Sequence, residues 1–269
     1  MKYRIIILLL SLCFLSCIKE NRIMCPTYLT LDLSGTPAEV KTLYLILEYD
    51  DGRVFRDTID KEGFIPNYEI AVPRGNATVA AYGNIEVMEY QGGYVIPFGR
   101  QCDNIYTSFS RGGYDSDLSY DTIAVMKNNI GLHIKVLGES RTSDVLLAEL
   151  SATSIGYTNT GDLVSGKYHY VPECIHKPSP QEDYYIFYGR TPRIAGDISL
   201  SLSAYGNNGG VMTPVNLFSI SILEAIAQAG VSMSDEVLQD VYLTINFSKN
   251  LFSISVEDFD SHNHVDVEF

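Results

Sequence analysis

Gly161-Asp162-Leu163-Val164-Ser165-Gly166-Lys167-Tyr168 keeps the spacing of a phosphate-binding loop up to its last place. There Tyr168 stands where a Ser or Thr hydroxyl must hold magnesium. Such a loop also needs a helix behind it, whose first amides face the phosphates. Tyr168-His169-Tyr170-Val171-Pro172 reads instead as a strand stopped by proline, so nucleotide binding is not expected. Asp115, Asp117 and Asp121 offer carboxylate oxygens for calcium, but the turn glycine and distal bidentate Glu of a tight site are missing. A solvated acidic linker is the expectation there. Glu257, Asp258, Asp260, His262, His264 and Asp266 crowd the C-terminus, and His-x-His beside carboxylates can ligate a transition metal. Residues 260–263 fall where a turn between the last two strands belongs, and turns favour these residue types anyway. No metal site is assigned. The chain has no Gly-x-Ser-x-Gly elbow, no His-Glu-x-x-His and no catalytic-cysteine signature. With no Trp, the usual stacking platform for sugars is missing, and the 19 Tyr read as packed rings with wet hydroxyls. Neither catalysis nor a cofactor is expected.

The cysteines point to a different chemistry. Lys2 and Arg4 precede an apolar run over 5–15, which is an export signal in form. That run is about half of the roughly 20 residues that a spanning helix needs. It ends in Phe14-Leu15-Ser16-Cys17, similar to a bacterial lipobox: the peptidase cleaves after the small residue once the thiol is diacylated. Cys13 follows Leu12 and is the poorer candidate. The mature chain is therefore expected to start at a lipidated Cys17, whose acyl chains bury enough CH₂ groups to anchor it stably. Lys19-Glu20 resembles the tag that sends Bacteroidetes lipoproteins to the outer face of the outer membrane. Cys25, Cys102 and Cys174 remain, an odd number that permits one internal disulfide at most. Cys25 and Cys102 flank the first block of strands and are the expected pair. No CxxC is present, so zinc and thioredoxin-type chemistry have no purchase.

The elements that carry these residues read as strands. Segments 28–33, 43–49, 53–59, 68–72 and 77–82 alternate or run apolar between turn signals. Asp50-Asp51-Gly52 marks a hairpin and Pro73-Arg74-Gly75-Asn76 another turn. From 92 to 120 the chain is rich in Gly, Ser, Asp and Tyr, and 111–117 reads as a linker. Strands are expected again over 122–126, 132–136, 145–150, 184–188 and 198–204. Helical spacing occurs over 217–229, where Ile222, Leu223, Ile226 and Ala227 recur at three and four before Gly230. A hairpin over 241–247 and 251–256, then an alternating 265–269, closes the chain. No fixed-period repeat is visible.

Composition limits the partners. With 269 residues, 46 % hydrophobic and 19 % charged, the chain can bury a core and is not generally disordered. A net charge of −14, or −16 without residues 1–16, repels nucleic-acid phosphates and rules out a basic membrane-surface patch. Short strands at turn-punctuated spacing suggest an all-β chain of two β-sandwiches split near 115–125. The expected division is a signal peptide over 1–16, a lipidated tether over 17–24, and domains over 25–118 and 119–269.

Together these residues resemble the fimbrial anchor lipoproteins of Bacteroidetes, the fimbrillin-associated, minor-fimbrium anchor family. The likeness is carried by Cys17 with Cys25-Pro26 eight residues on, and by Leu43-Tyr44-Leu45-Ile46-Leu47-Glu48-Tyr49-Asp50-Asp51-Gly52-Arg53-Val54-Phe55. Val72-Pro73-Arg74-Gly75, running into Val79-Ala80-Ala81-Tyr82-Gly83-Asn84, is similar to the family's glycine turn before a strand. Phe252 to Phe259 and Val265-Asp266-Val267-Glu268-Phe269 match its closing hairpin, with Phe259 where the family usually carries Trp. Residues 140–215 match poorly. The resemblance implies two transthyretin-like Greek-key β-sandwich domains, with one short helix in the C-terminal domain, and no enzymatic activity. It implies attachment of a fimbrium base to the outer membrane through the lipid on Cys17 and a limit on fibre length. The partners it implies are fimbrillin subunits, met through the C-terminal domain by strand complementation. A fimbrial tip or accessory adhesin, or a surface glycan-binding lipoprotein, are the alternatives.

Overall fold

Leu29 and Leu31 alternate with Tyr28 and Thr30 in β1 (Thr27–Asp32), and the two leucines are wholly buried. β2 (Thr42–Tyr49) goes further: Leu43, Leu45 and Leu47 are buried on one face and Ile46 on the other. β5 (Asn76–Gly83) shows the same near-continuous apolar run, as a strand covered on both sides must. The computed structural model describes residues 25–86, 92–137, 145–178, 184–193, 198–208, 211–228, 240–246, 251–257 and 262–268, and it is nearly all β. β3 (Val54–Asp60), β7 (Tyr106–Gly113) and β9 (Met126–Lys127) join β2 and β5 in the order β3-β2-β5-β7-β9. β4 (Tyr68–Val72) and β8 (Leu118–Thr122) flank β1 in a second, three-stranded sheet. The two sheets enclose one core of Leu29, Leu31, Leu43, Leu45, Leu47, Val79 and Ala81.

The second unit repeats the design at larger size. β10 (Asn129–Leu137), β13 (Cys174–Lys177), β14 (Tyr184–Pro192), β17 (Val241–Asn246), β18 (Leu251–Glu257) and β19 (His262–Glu268) form a sheet in the order β13-β14-β10-β17-β18-β19. β11 (Val145–Thr158), β12 (Leu163–Tyr170), β15 (Ile198–Asn208) and β16 (Val211–Ser221) form the facing sheet, and α1 (Ile222–Gln228) follows β16. In each unit the first strand lies between an antiparallel and a parallel neighbour: β4-β1-β8 in one and β14-β10-β17 in the other. The sequence shows no repeat, yet the topology does, because pairing order depends on the path of the chain and not on residue identity.

The β-sandwich architecture agrees with expectation, and several details are corrected. The segment from 92 to 120 holds three strands, β6 (Gly93–Val95), β7 and β8, where loop composition was read. Apart from Tyr106 and Phe109, β7 is built of Thr, Ser, Arg and Gly; only its first two residues are buried, and its ladder to β5 holds the rest. Arg111, Gly112 and Gly113 therefore end a strand and do not form a linker. Residues 217–221 belong to β16, and the helix spans only Ile222–Gln228. The expected boundary after 118 falls inside β8, which is paired along its length with β1, while β9 pairs β7. The change of sheets lies at Asn128. Strand 122–126 is replaced by the end of β8 and the start of β9, with Ile123 and Val125 filling the first core.

The two sandwiches are joined by more than a linker. Ile46, Ala80 and Tyr82, on the outer face of the β2–β5 sheet, belong to the same buried cluster as Leu132, Leu150 and Phe187 of the second unit. β11 is the other bridge: Val145–Ala152 pairs β15, and after two register shifts Gly156–Thr158 pairs β6.

Candidate functional site

Three turns meet where the described chain begins. The β2–β3 turn reverses through Gly52 at φ +85°, with the Tyr49 amide donating to the Arg53 carbonyl at 2.9 Å. That is the three-residue hairpin that Asp50-Asp51-Gly52 predicts. Beside it lie the β4–β5 turn, with Gly75 at φ +132°, and the β7–β8 turn, tied by reciprocal Tyr114 and Gly75 backbone bonds. An arginine from each of three segments fastens this end. Arg74 donates from Nε to the Cys25 carbonyl at 3.1 Å, from Nη1 to the Asp115 carbonyl, and pairs with the Asp117 carboxylate. Arg53 donates from Nη2 to the Arg74 carbonyl at 2.6 Å and from Nε to Asp51 at 2.7 Å. Arg111 grips both oxygens of Asp50 at 2.7 and 2.8 Å. The Arg53 backbone amide, followed by its guanidinium, holds the exposed Asp51 carboxyl below its ordinary range. Exposed ion pairs contribute little stability each. Their effect here is geometric: Arg74 fixes the direction from which residue 25 comes in.

This geometry disposes of the calcium pattern. Asp117 is taken by Arg74, Asp121 accepts from the Tyr114 hydroxyl at 2.8 Å, and Asp115 contributes its carbonyl to Arg74. Two of the three carboxylates are engaged separately, and the three do not gather as a metal site among the described residues. Gly161 to Tyr168 forms the β11–β12 turn and β12 itself, with Gly161 at φ +89° against the Phe109 ring. No helix follows it to supply amides for a phosphate. Of the C-terminal cluster, His262, His264 and Asp266 lie in β19, Glu257 ends β18, and Asp258 and Asp260 lie outside the described residues. His262 and Asn263, expected in a turn, begin a strand.

Cys17 also lies outside the described residues. Cys25 and Cys102 are not joined. Cys25 is exposed beside β1, Cys102 is wholly buried in the second core, and both are free thiols, as is Cys174. The order of strands along the chain suggested proximity, but the chain crosses to the domain junction before residue 102. Burial pushes the Cys102 thiol far up, helped by the Asp103 charge. Its backbone is held by Tyr168, whose hydroxyl accepts from the Cys102 amide at 3.4 Å, and by Arg190, whose Nε donates to the Cys102 carbonyl at 3.0 Å.

The domain junction holds a network of buried and half-buried polar contacts. The Tyr82 hydroxyl reaches the Thr158 carbonyl at 3.0 Å and Asn159 Oδ1 at 2.9 Å, and Asn159 Nδ2 donates to Glu48 at 2.6 Å. Lys127 Nζ meets Asp240 at 2.5 Å, and the same oxygen accepts the Gly131 amide at 3.0 Å. Beside these bonds lies a cleft of about 630 Å³ lined in part by Phe109, Met126, Tyr157, Leu163 and Arg193. Among the described residues no three His, Cys, Asp or Glu gather as a metal site, and no helix is long and apolar enough to cross a membrane. Sequence reading missed the arginine clamp. Only Asp51-Gly52-Arg53 signals it locally, since Arg74 and Arg111 reach partners more than forty residues away.

The sequence matches no protein-family description, and no curated protein is detectably similar to it. Solved structures share its fold. The fimbrial anchor protein Mfa2 from Porphyromonas gingivalis aligns over 89 % of this chain and 99 % of its own, at 14 % identity and a TM-score of 0.56. A candidate adhesin from Bacteroides thetaiotaomicron aligns over 86 % of this chain and 96 % of its own, at 15 % identity and a TM-score of 0.54. Another from Bacteroides ovatus covers 90 % and 96 %, at 11 % identity and a TM-score of 0.55. The chain thus has the two-sandwich fold of these fimbrial and adhesin proteins.

Proposed function

We propose that this chain is a surface lipoprotein, held in the outer membrane through acyl chains on Cys17, that attaches the base of a fimbrium and limits its length. It works by binding and not by catalysis. The observation that carries the reading is a fold shared with a fimbrial anchor over nearly the whole of both chains, in a sequence that opens on a lipobox-like Cys17. Ten residues separate Cys17 from Thr27, a reach of at most about 33 Å when extended. The first sandwich therefore stays close to the bilayer, with Arg74 directing the tether. The second sandwich has four edge strands, β12 and β16 of one sheet and β13 and β19 of the other, and one of them takes up a strand of a fimbrial subunit. Unpaired backbone groups on such edges accept an extended strand, and alternate side-chain pockets select it.

The test is Cys17→Ala in the native cell, with fibres followed by electron microscopy and in the medium. Shed or length-altered fibres with normal subunit synthesis support the anchor. Fibres that stay attached and unchanged refute it, and would equally suit a protein placed at the tip.

A second reading draws on a different observation. On the outer face of the six-stranded sheet, His133 stacks on Tyr242 at 4.3 Å and meets Tyr188 edge-on at 5.2 Å, with Lys135 lying 4.6 Å from the Tyr184 ring centre. Such a ring row suits a glycan-binding lipoprotein. Polysaccharide binding that is lost in Tyr188→Ala would favour it over the anchor.

A further inference from the structure

The three-stranded sheet buries Leu29 and Leu31 on one face, and its other face carries large side chains that nothing described covers. Tyr28 is 50 % exposed, Leu118 56 % and Tyr120 75 %. Parallel register sets Tyr28 directly opposite Leu118, and Tyr120 follows two residues later on the same face, opposite Thr30. The patch is therefore contiguous. Glu69 and Ala71 of β4 complete it on the other side of β1. Exposed apolar patches of this kind mark contact surfaces.

We propose that this face rests on the lipid bilayer, with the tyrosine rings and Leu118 in the interfacial layer. The inference rests on the lipid anchor at Cys17 proposed above. Tyr28 stands eleven residues after Cys17, so the chain between them spans at most about 36 Å. At that distance the effective concentration of membrane is high, and weak contacts that would never recruit a free protein become occupied. The chemistry matches the interface: tyrosine places a ring against acyl chains and a hydroxyl among headgroups. A second copy of the chain fits the patch less well, since two proteins of charge −16 without residues 1–16 repel each other at close approach. Near the bilayer the arginine clamp matters again, because Arg53, Arg74 and Arg111 pair with the aspartates of this end and lower its repulsion from anionic headgroups. Binding through the patch is apolar, so it tolerates salt.

The experiment is hydroxyl-radical footprinting read by mass spectrometry. One sample is the native lipoprotein in phosphatidylcholine vesicles. The other is residues 17–269 carrying Cys25→Ser and Cys174→Ser, coupled through Cys17 to a maleimide lipid in the same vesicles; Cys102 is buried and does not couple. Oxidation of Tyr28, Leu118 and Tyr120 should fall several-fold relative to the uncoupled protein, while exposed Phe98 and Tyr188 oxidise as before. Unchanged oxidation of the three residues, or an equal fall at all five, overturns the proposal. A native chain with no diacylglycerol on Cys17 would refute the anchor reading alone, and the coupled chain would still decide the membrane face.

Discussion

Tyr82 is the residue on which the joining of the two sandwiches can be tested most sharply. It sits on β5 in the first unit, is wholly buried, and its hydroxyl lies between the Thr158 carbonyl and Asn159 Oδ1 of the second. Its ring meets Phe109 edge-on at 5.7 Å. Tyr82→Phe keeps the ring and removes the hydroxyl, which leaves Asn159 Oδ1 short of a donor in a buried place, while the Thr158 carbonyl keeps the Gly161 amide at 3.0 Å. An acceptor stranded in this way costs about 1–3 kcal/mol, and we expect about 1.5 kcal/mol here because Asn159 keeps its bond to Glu48. For a chain of this size that lowers Tm by about 3–6 °C. Tyr82→Ala removes the ring as well and should cost about 3–5 kcal/mol. Thermal unfolding followed by circular dichroism reads both. A double-mutant cycle with Asn159→Ala should return a coupling of about 0.5–1.5 kcal/mol. The reasoning fails if Tyr82→Phe is within about 0.5 kcal/mol of the native protein, as a surface substitution would be.

Three further outcomes are expected. The Tyr49 hydroxyl is buried without a partner, and burial pushes its pKa up to about 12. The unfolded value is about 10, so the neutral form favours the fold, and stability should be full below pH about 10 and lost as pH rises through about 12. Buried Tyr94, Tyr114, Tyr157 and Tyr168 shift the same way, so tyrosinate absorbance should appear together with unfolding; a full titration near pH 10 with the fold intact would contradict this. Thiol reagents should modify Cys25 and Cys174 in the native protein and reach Cys102 only after denaturation, and a mass loss of two hydrogens on a Cys25–Cys102 peptide pair would refute the free thiols. Gly156→Ala should destabilise by at least about 2 kcal/mol, since φ is +156° and a Cβ would stand 1.9 Å from the Tyr94 carbonyl oxygen; denaturant midpoints will show it.

Strand content was legible wherever burial imposes a period. β4 falls where the alternation of 68–72 puts it, and β2 differs from the expected segment by one residue, because their side chains meet a core on fixed faces. β7 was not legible. Its Ser, Arg and Gly residues carry no apolar period, and its strand conformation comes from β5, a neighbour some thirty residues earlier in the chain. The helix was placed but drawn too long, since 217–221 is claimed by the ladder to β15 before helical spacing can act.

The candidate site divides in the same way. The expectation at Cys17 rests on a linear pattern, because a peptidase would read an extended chain and need no fold. The Asp50-Asp51-Gly52 turn is also local, because the sign of φ at one glycine suffices. The arginine clamp, the burial of Cys102 away from Cys25, and the patch of Tyr28, Leu118 and Tyr120 depend on which strands become neighbours. Neighbours are chosen by the combined burial of both cores, a property of the whole chain. The sequence by itself determined an acidic, all-β protein, and it carries the expectation of a lipidated Cys17. Only the tertiary structure decided which face of the three-stranded sheet stays bare beside the start of the described chain.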